Sequence, residues 1–309
     1  MASRKPPVNP GRRSVAATAA KPATETRLQS KHLDLVNDTQ HAAAADDGAH
    51  VFEMQGERTQ AAPESMGGLA KGLAIIEAFS ATTTRMTIAD AARFADVTRP
   101  AARRCLLTLV ELGYLSHDGK FFAPLPRMLR LGGAYLTTSS LPQTAQPFLM
   151  AARDELQESV SLAVLDAGAA VFVARAEATR IVSTGAKLGG RLPAYCSATG
   201  RVLLSESSDA EIRQHLGAQP LKKLTAHTPT TFQAVAAAMR RAATDGYAIS
   251  DEEIEIGMRS MAVPVRSRGG IIEAALSVSV FSARISVATM QREFLPVLQR
   301  AAARLERAL

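Results

Sequence analysis

The chain has 309 residues, of which 47% are hydrophobic, so it is long enough for two modest domains. Its formal net charge of +7 suits a polyanionic partner. The two cysteines, Cys105 and Cys196, are too few and too far apart for a disulfide framework or a metal knuckle. No apolar run approaches the roughly 20 residues that a membrane span needs, so we expect a cytoplasmic protein with no membrane partner.

Residues 1–64 are low in large apolar side chains and rich in Ala, Pro, Thr, Arg and Asp. Such a segment cannot bury enough surface to offset the entropy lost on ordering, so we predict a disordered tail over residues 1–64. The tail holds eight basic and eight acidic residues, whereas residues 65–130 hold nine basic and five acidic residues. The excess positive charge is therefore densest just after the tail.

Residues 65–115 show helical patterns, with a first helix over 68–79 and two more, joined by a short turn, over 86–115. Thr98 is expected to cap the last of these helices, Pro100 to lie in its first turn and Gly113 to end it. The expected apolar sides are Ile88, Ala91, Ala92 and Phe94 in the second helix, and Leu106, Leu109, Val110 and Leu112 in the third.

Basic residues at the start of the third helix point to DNA. The second and third helices together have the pattern of a helix-turn-helix. In this motif the N-terminal part of the later helix enters the major groove, where arginine pairs with guanine edges and phosphates. An Asp-Gly turn at residues 118–119 between two short apolar segments predicts a β-hairpin, which completes a winged helix-turn-helix over residues 65–124. The expected DNA-contacting residues are Thr87, Thr98, Arg99, Ala101, Arg103, Arg104 and, at the wing turn, Lys120.

The rest of the chain is predicted to be a linker helix within residues 125–141 and a second domain over residues 142–309. Helices are expected over 143–158, 209–216, 231–244 and 287–308, and strands over 161–165, 170–174, 180–186, 247–250, 260–266 and 271–280. Residues 191–204 are expected to be a loop that runs into a helix at small, hydroxyl-bearing residues. Because hairpins outnumber βαβ crossovers, the fold class is α+β with a mainly antiparallel sheet.

The chain resembles bacterial transcriptional regulators of the IclR type over about residues 66–308. The matching stretches are 72–79, the helix-turn-helix at 87–115, RLPAY at 191–195, GRVLL at 200–204, DEE at 251–253, GMRS at 257–260 and AALSVS at 274–279. Residues 103–114, 141–149 and 158–166 are most similar to the branch that regulates aromatic-acid catabolism through the β-ketoadipate pathway. The resemblance implies a winged helix followed by a GAF-like effector domain, assembled as dimers that often pair into tetramers.

The resemblance also implies an effector pocket between the sheet and the helix near Ser197. The matching residues are Ser197, Ala198, Thr199, Asp251, Arg259, Ser260, Ser277 and Ser279. Strand alternation places Ser277 and Ser279 on one face, and Arg259 would suit a ligand carboxylate as a bidentate partner. Two plainer alternatives remain open: the serines are small residues packed in a sheet, and Arg259 pairs with Glu252 or Glu255.

The expected function is therefore that of a DNA-binding regulator, with no cofactor and no metal. Its implied partners are a double-stranded operator, a small aromatic or dicarboxylic acid, itself as a homodimer or homotetramer, and RNA polymerase if it is an activator, which the branch favours. A repressor that responds to an unrelated carboxylate is the alternative. An enzyme using Cys196 ranks lower, because no base is placed beside the thiol, and a pure protein-interaction module leaves the arginines and the wing unexplained.

Overall fold

The computed structural model describes residues 66–80, 82–179, 187–218 and 220–309. The predicted disordered tail and the predicted strand at 180–186 lie outside these ranges. Within them, none of the helices is both long enough and apolar enough to cross a membrane.

Three helices and a hairpin form the N-terminal part of the described chain. The helices are α1 (Gly67–Glu77), α2 (Ile88–Phe94) and α3 (Arg99–Glu111), and the hairpin strands are β1 (Leu115–His117) and β2 (Phe122–Pro124). The two strands pair antiparallel across the predicted Asp-Gly turn. The predicted winged helix-turn-helix is confirmed.

The core of this part is built from the expected faces of the helices, with one exception. Ala91 and Leu106 are fully buried, and Leu115 and Phe122 of the hairpin are each 1% exposed. Leu112, which we expected to point inward, is 51% exposed. Helix α3 ends at Glu111 and the chain reverses at Gly113, whose φ is 75°, so the side chain of Leu112 is left at the surface.

Two helices connect this part to the sheet. A 3₁₀ turn, Pro126–Met128, leads into α4 (Leu129–Thr138), and α5 (Ser140–Leu156) follows directly. Only Ser139 separates these two helices, and α5 begins three residues before the start at 143 that we predicted. Pro142 lies in the first turn of α5, where a missing N–H costs no helical hydrogen bond.

The described residues of the C-terminal part form a six-stranded sheet in which every neighbouring pair is antiparallel. The strands are β3 (Val160–Asp166), β4 (Ala169–Ala176), β5 (Arg191–Pro193), β6 (Ala248–Asp251), β7 (Met258–Arg266) and β8 (Ile272–Phe281), in the order β5-β4-β3-β8-β7-β6. The predicted α+β class with a mainly antiparallel sheet is confirmed. Residues 191–193, which we expected to be loop, form an edge strand paired with Ala169–Val171.

Helices cover both faces of this sheet. The remaining elements are α6 (Ala198–Leu203), α7 (Asp209–Leu216), α8 (Phe232–Asp245), α9 (Val287–Thr289), a π turn (Met290–Phe294) and α10 (Leu295–Glu306). Helices α5 and α10 pack on the face that carries Leu162 and Leu276, and α6 packs on the opposite face. The final helix, predicted as continuous, contains the π turn just before Pro296, whose ring nitrogen cannot donate a regular helical bond.

Candidate DNA interface and effector site

Helix α3 carries the three arginines that were predicted from the sequence to contact DNA. Thr98 caps the helix, because its hydroxyl oxygen accepts a hydrogen bond from the backbone N–H of Ala101 at 3.4 Å. Arg99, Arg103 and Arg104 are exposed, and none of them has a hydrogen-bond or ion-pair partner among the described residues. Three unpaired guanidinium groups at one end of a helix favour a polyanion.

Two other predicted DNA contacts have structural roles. The hydroxyl of Thr87 donates to an Asp90 carboxylate oxygen at 2.8 Å, and the backbone N–H of Thr87 donates to the same oxygen at 3.0 Å. The backbone N–H of Asp90 in turn donates to the Thr87 hydroxyl oxygen at 3.3 Å, which completes a capping box at the start of α2. The two bonds to the carboxylate hold the pKa of Asp90 below its usual range. Ala101 is only 8% exposed, so its side chain packs inward and is not presented at the surface.

Two cations lie around one aromatic ring at the wing. The carboxylate of Asp118 accepts hydrogen bonds from the backbone N–H groups of Lys120 and Phe121 at 2.9 and 2.7 Å, which shape the turn. The Lys120 ammonium lies 5.1 Å from the centre of the Phe121 ring, and the Arg85 guanidinium lies 4.3 Å from it. Arg85 was not among the predicted residues, because it lies before α2 and meets the wing only in the folded chain.

Polar side chains line one face of the larger sheet. Ser250 of β6 pairs in register with Ser260 of β7, which pairs with Ser279 of β8. Ser277 pairs with Ser161 of β3, which in turn pairs with Arg175 of β4. Directly opposed residues share a face, and Ser277 and Ser279 alternate on one strand. These residues, Ser161, Arg175, Ser250, Ser260, Ser277 and Ser279, are called the serine face below.

Helix α6 covers this face. Ala198 packs with Ala163, Ala262 and Ala275, and Ala262 is the register partner of Ser277. Ser197 caps the helix: its hydroxyl accepts from the N–H of Gly200 at 3.0 Å and donates to the carbonyl of Pro193 at 2.8 Å. The structure therefore brings the predicted Ser197, Ala198 and Thr199 together with Ser260, Ser277 and Ser279.

Thr199 has a buried polar atom without a partner. The residue is 3% exposed, and its hydroxyl oxygen has no hydrogen-bond partner in the described part of the chain. An unsatisfied buried hydroxyl costs about 1–3 kcal/mol. Such a group in a covered, polar region suits a site that a small molecule completes.

Arg175 is the charged member of the serine face, and the sequence interpretation missed it. Its side chain is 8% exposed, and its guanidinium donates to the hydroxyl of Ser161 at 2.9 Å and to Glu177 at 3.1 Å. The available signal was a charge directly after the apolar run at 170–174. A buried guanidinium beside hydroxyl groups can bind a carboxylate through two parallel hydrogen bonds.

Asp251 and Arg259 are not part of the serine face. Arg259 pairs in register with Val280, a core residue on the opposite face of the sheet. Its guanidinium donates to Asp251 at 2.7 Å and to the carbonyls of Ser282 and Ile285. The partner of Arg259 is therefore Asp251, not the Glu252 or Glu255 that we considered, and the pair ties the end of the β7–β8 hairpin to the following loop.

Cys196 lies under the same helix but is not an activated thiol. The residue is fully buried, and this burial raises its pKa to about 12, so the thiol is protonated at neutral pH. Its backbone carbonyl accepts a hydrogen bond from Ser250 at 2.7 Å. Among the described residues, no cluster of His, Cys, Asp and Glu side chains could hold a metal ion.

Known proteins match both parts of the chain. Residues 68–119 match the IclR helix-turn-helix domain, and residues 133–307 match the bacterial transcriptional regulator IclR C-terminal domain. The Pca regulon regulatory protein of Pseudomonas putida is 38% identical over 237 residues, which cover 76% of this chain and 81% of that protein. The p-hydroxybenzoate hydroxylase transcriptional activator of Acinetobacter baylyi is 36% identical over 263 residues, or 82% of this chain and 94% of that protein.

A solved relative extends the comparison to three dimensions. An IclR homologue from Microbacterium hydrocarbonoxydans, complexed with 4-hydroxybenzoate, superposes with a TM-score of 0.63 and 28% sequence identity, covering 78% of this chain and 98% of the other. These matches are to transcriptional regulators and not to enzymes. With a DNA-binding helix-turn-helix followed by an effector-binding domain, the chain belongs to the IclR family of bacterial transcriptional regulators.

Proposed function

We propose that this regulator responds to a small aromatic acid bound between the serine face and α6. The observation that carries the proposal is the buried guanidinium of Arg175, in register with Ser161 and Ser277 on a face that α6 covers. The relatives support an aromatic acid, since one was solved with 4-hydroxybenzoate and another is named as the p-hydroxybenzoate hydroxylase transcriptional activator.

The proposed roles follow from the chemistry of each group. Arg175 binds the ligand carboxylate, while the serine hydroxyls and the unpartnered hydroxyl of Thr199 bind a ring hydroxyl. Arg175 also borders a cavity of about 550 Å³ beside α4 and α5. None of the other residues that line this cavity belongs to α6 or to the serine face, so it is not the space between them. Its other lining residues are Leu136, Pro142, Gln143, Gln146, Val173, Ala174, Glu177, Lys187 and Leu188.

Calorimetry of the full chain tests the effector. We expect heat on titration with 4-hydroxybenzoate or protocatechuate, and weaker or no heat with the open-chain β-ketoadipate. Arg175→Met should weaken binding more than tenfold, because a hydrogen bond to a charged group contributes about 1.5–3 kcal/mol. Arg191→Met is the matched control, since Arg191 is exposed and pairs with Asp166 on the edge of the sheet. Absence of heat from all three acids, or an equal loss in both variants, would contradict the proposal.

We assign DNA binding to residues 65–124, with Thr98, Arg99, Arg103, Arg104, Lys120 and Arg85 at the interface, and effector binding to residues 142–309.

The proposed output is activation of catabolic genes. An activator of a bacterial operon contacts RNA polymerase and acts in the cytoplasm, where the operator lies. Deleting the gene should therefore lower expression of a reporter placed behind the operator, whereas a repressor would give the opposite result.

We further propose that the active form is at least a dimer. Met66, the residue just before α1, and Leu69 and Leu73 within it form a stripe at helical spacing and are 75%, 60% and 44% exposed. A contiguous exposed apolar stripe is typical of a protein interface. Two copies joined through this stripe would present two recognition helices to one duplex.

A further inference from the structure

The exposed face of α3 is not uniformly polar. Pro100, Arg103, Arg104 and Leu107 follow the spacing i, i+3, i+4, i+7, so they share one face of the helix, and all four are exposed. The other side of the helix carries Ala102, Leu106 and Leu109, none of them more than 8% exposed. Leu107 is therefore an apolar residue within the face that carries the arginines.

Leu107 is not among the residues that form or pack against the apolar core of this part. It is 37% exposed, while the adjacent Leu106 is fully buried. A leucine at the surface is stabilised when a partner covers it, since each buried CH₂ contributes about 0.8 kcal/mol. The partner that meets this face has to accept both guanidinium groups and an aliphatic side chain.

The major groove of DNA meets both requirements. Guanine edges and phosphates accept hydrogen bonds from arginine, and the thymine 5-methyl group is the apolar group that base pairs present in this groove. We infer that Leu107 contacts the 5-methyl group of a thymine and thereby contributes to operator choice. This inference rests on the DNA interface proposed above.

The helix geometry limits how far that thymine can lie from the base or phosphate that Arg103 contacts. Leu107 follows Arg103 by four residues, which is about 6 Å along the helix axis. At 3.4 Å per base step, the thymine lies within about two base pairs of the base or phosphate that Arg103 contacts. Selected operators should therefore contain a thymine at a constant, short spacing from the Arg103 contact.

Methyl deletion in the DNA tests this contact directly. Duplexes are selected from a random pool with the full chain, and each thymine is then replaced by deoxyuridine, which removes only the 5-methyl group. At one or more positions the wild-type affinity should fall about fourfold, the value expected for one buried methyl group. Leu107→Ala should bind the selected duplex more weakly and show no further loss at those positions.

Leu112→Ala is the matched control. Leu112 is 51% exposed at the other end of α3, and it should keep the wild-type pattern of methyl sensitivity. The inference is overturned if no thymine is methyl-sensitive, or if the sensitivity persists in Leu107→Ala. A change of oligomer mass in Leu107→Ala with unchanged methyl sensitivity would show that a second copy covers the residue, and would also overturn it. If the wild-type chain binds no duplex from the pool, this inference and the proposed DNA interface are both overturned.

Discussion

Gly200 allows α6 to lie against the loop that leads into it. A Cβ atom at this position would lie 2.2 Å from the Cα of Ala194 and 2.6 Å from its carbonyl oxygen. Both contacts are with backbone, which cannot move aside as a flexible side chain can. Gly200→Ala should lower the free energy of unfolding by about 1–3 kcal/mol in urea denaturation. Effector binding should weaken as well, because α6 covers the serine face.

Gly132→Ala serves as the control for this prediction. Gly132 lies inside α4, and an added Cβ would meet no atom within 4 Å. Alanine is the better helix former, so this variant should gain about 0.5–1 kcal/mol. Equal stability of Gly200→Ala and the wild type would contradict the close approach seen in the structure.

The two cysteines should differ sharply in reactivity. Cys196 is fully buried, and because burial raises its pKa to about 12, raising the pH to 9 leaves it protonated. A thiol titration with Ellman's reagent at pH 8–9 should therefore detect one fast thiol, the partly exposed Cys105, in the native chain, and both thiols after denaturation. Rapid reaction of a Cys105→Ser variant in its native state would contradict this assignment.

The candidate effector residues show why single site residues are harder to predict from the sequence than the fold. Ser277 and Ser279 were correctly placed on one face by alternation alone, because strand periodicity is local. Asp251 was favoured over its neighbour Ser250, yet Ser250 is the residue in register with Ser260. A shift of one residue along a strand moves the side chain to the other face, and register depends on partners that the sequence does not reveal.

Local signals explain which elements were predicted well. The Thr98 cap, the Asp-Gly hairpin turn and the helix Asp209–Leu216 each depend on residues within a few positions of one another. Strand β5 is three residues long and exists only through its pairing with β4, so its own sequence carries too little pattern to show it. The same holds for the cation pair around Phe121, which joins two separate segments.

Helix α3 is predicted to carry most of the DNA affinity. Arg103→Ala and Arg104→Ala together should abolish the shift of an operator fragment in a native gel, because both unpaired guanidinium groups are lost from the recognition face. Each phosphate contact removed should also reduce the slope of log K against log salt by about 0.9. Heat of effector binding should be unchanged, since these residues lie far along the chain from the serine face.

Arg93→Ala is the control for the arginine variants. Arg93 is exposed on the neighbouring helix α2, but it pairs with Asp90 at 3.1 Å. Its removal should leave the gel shift close to that of the wild type. A retained shift in the double variant, or an equal loss in Arg93→Ala, would refute the special role of α3.

At the scale of the whole molecule, the exposed stripe on α1 predicts how copies assemble. Leu69→Asp combined with Leu73→Asp should convert the protein to a monomer in light scattering, since charged groups cannot be buried unpaired in an apolar interface. Operator affinity should fall, because a monomer contacts one half-site and loses the second set of contacts. Effector binding should persist, because the serine face lies within a single chain.

A matched control separates the stripe from apolar surface in general. Ile271 is 70% exposed in the turn between β7 and β8, on a different part of the chain. Ile271→Asp should keep the wild-type mass and operator affinity. If the α1 variant also keeps the wild-type mass, assembly does not use this stripe. If its mass falls while operator affinity is unchanged, one recognition helix suffices for operator binding, which contradicts the expected loss of affinity.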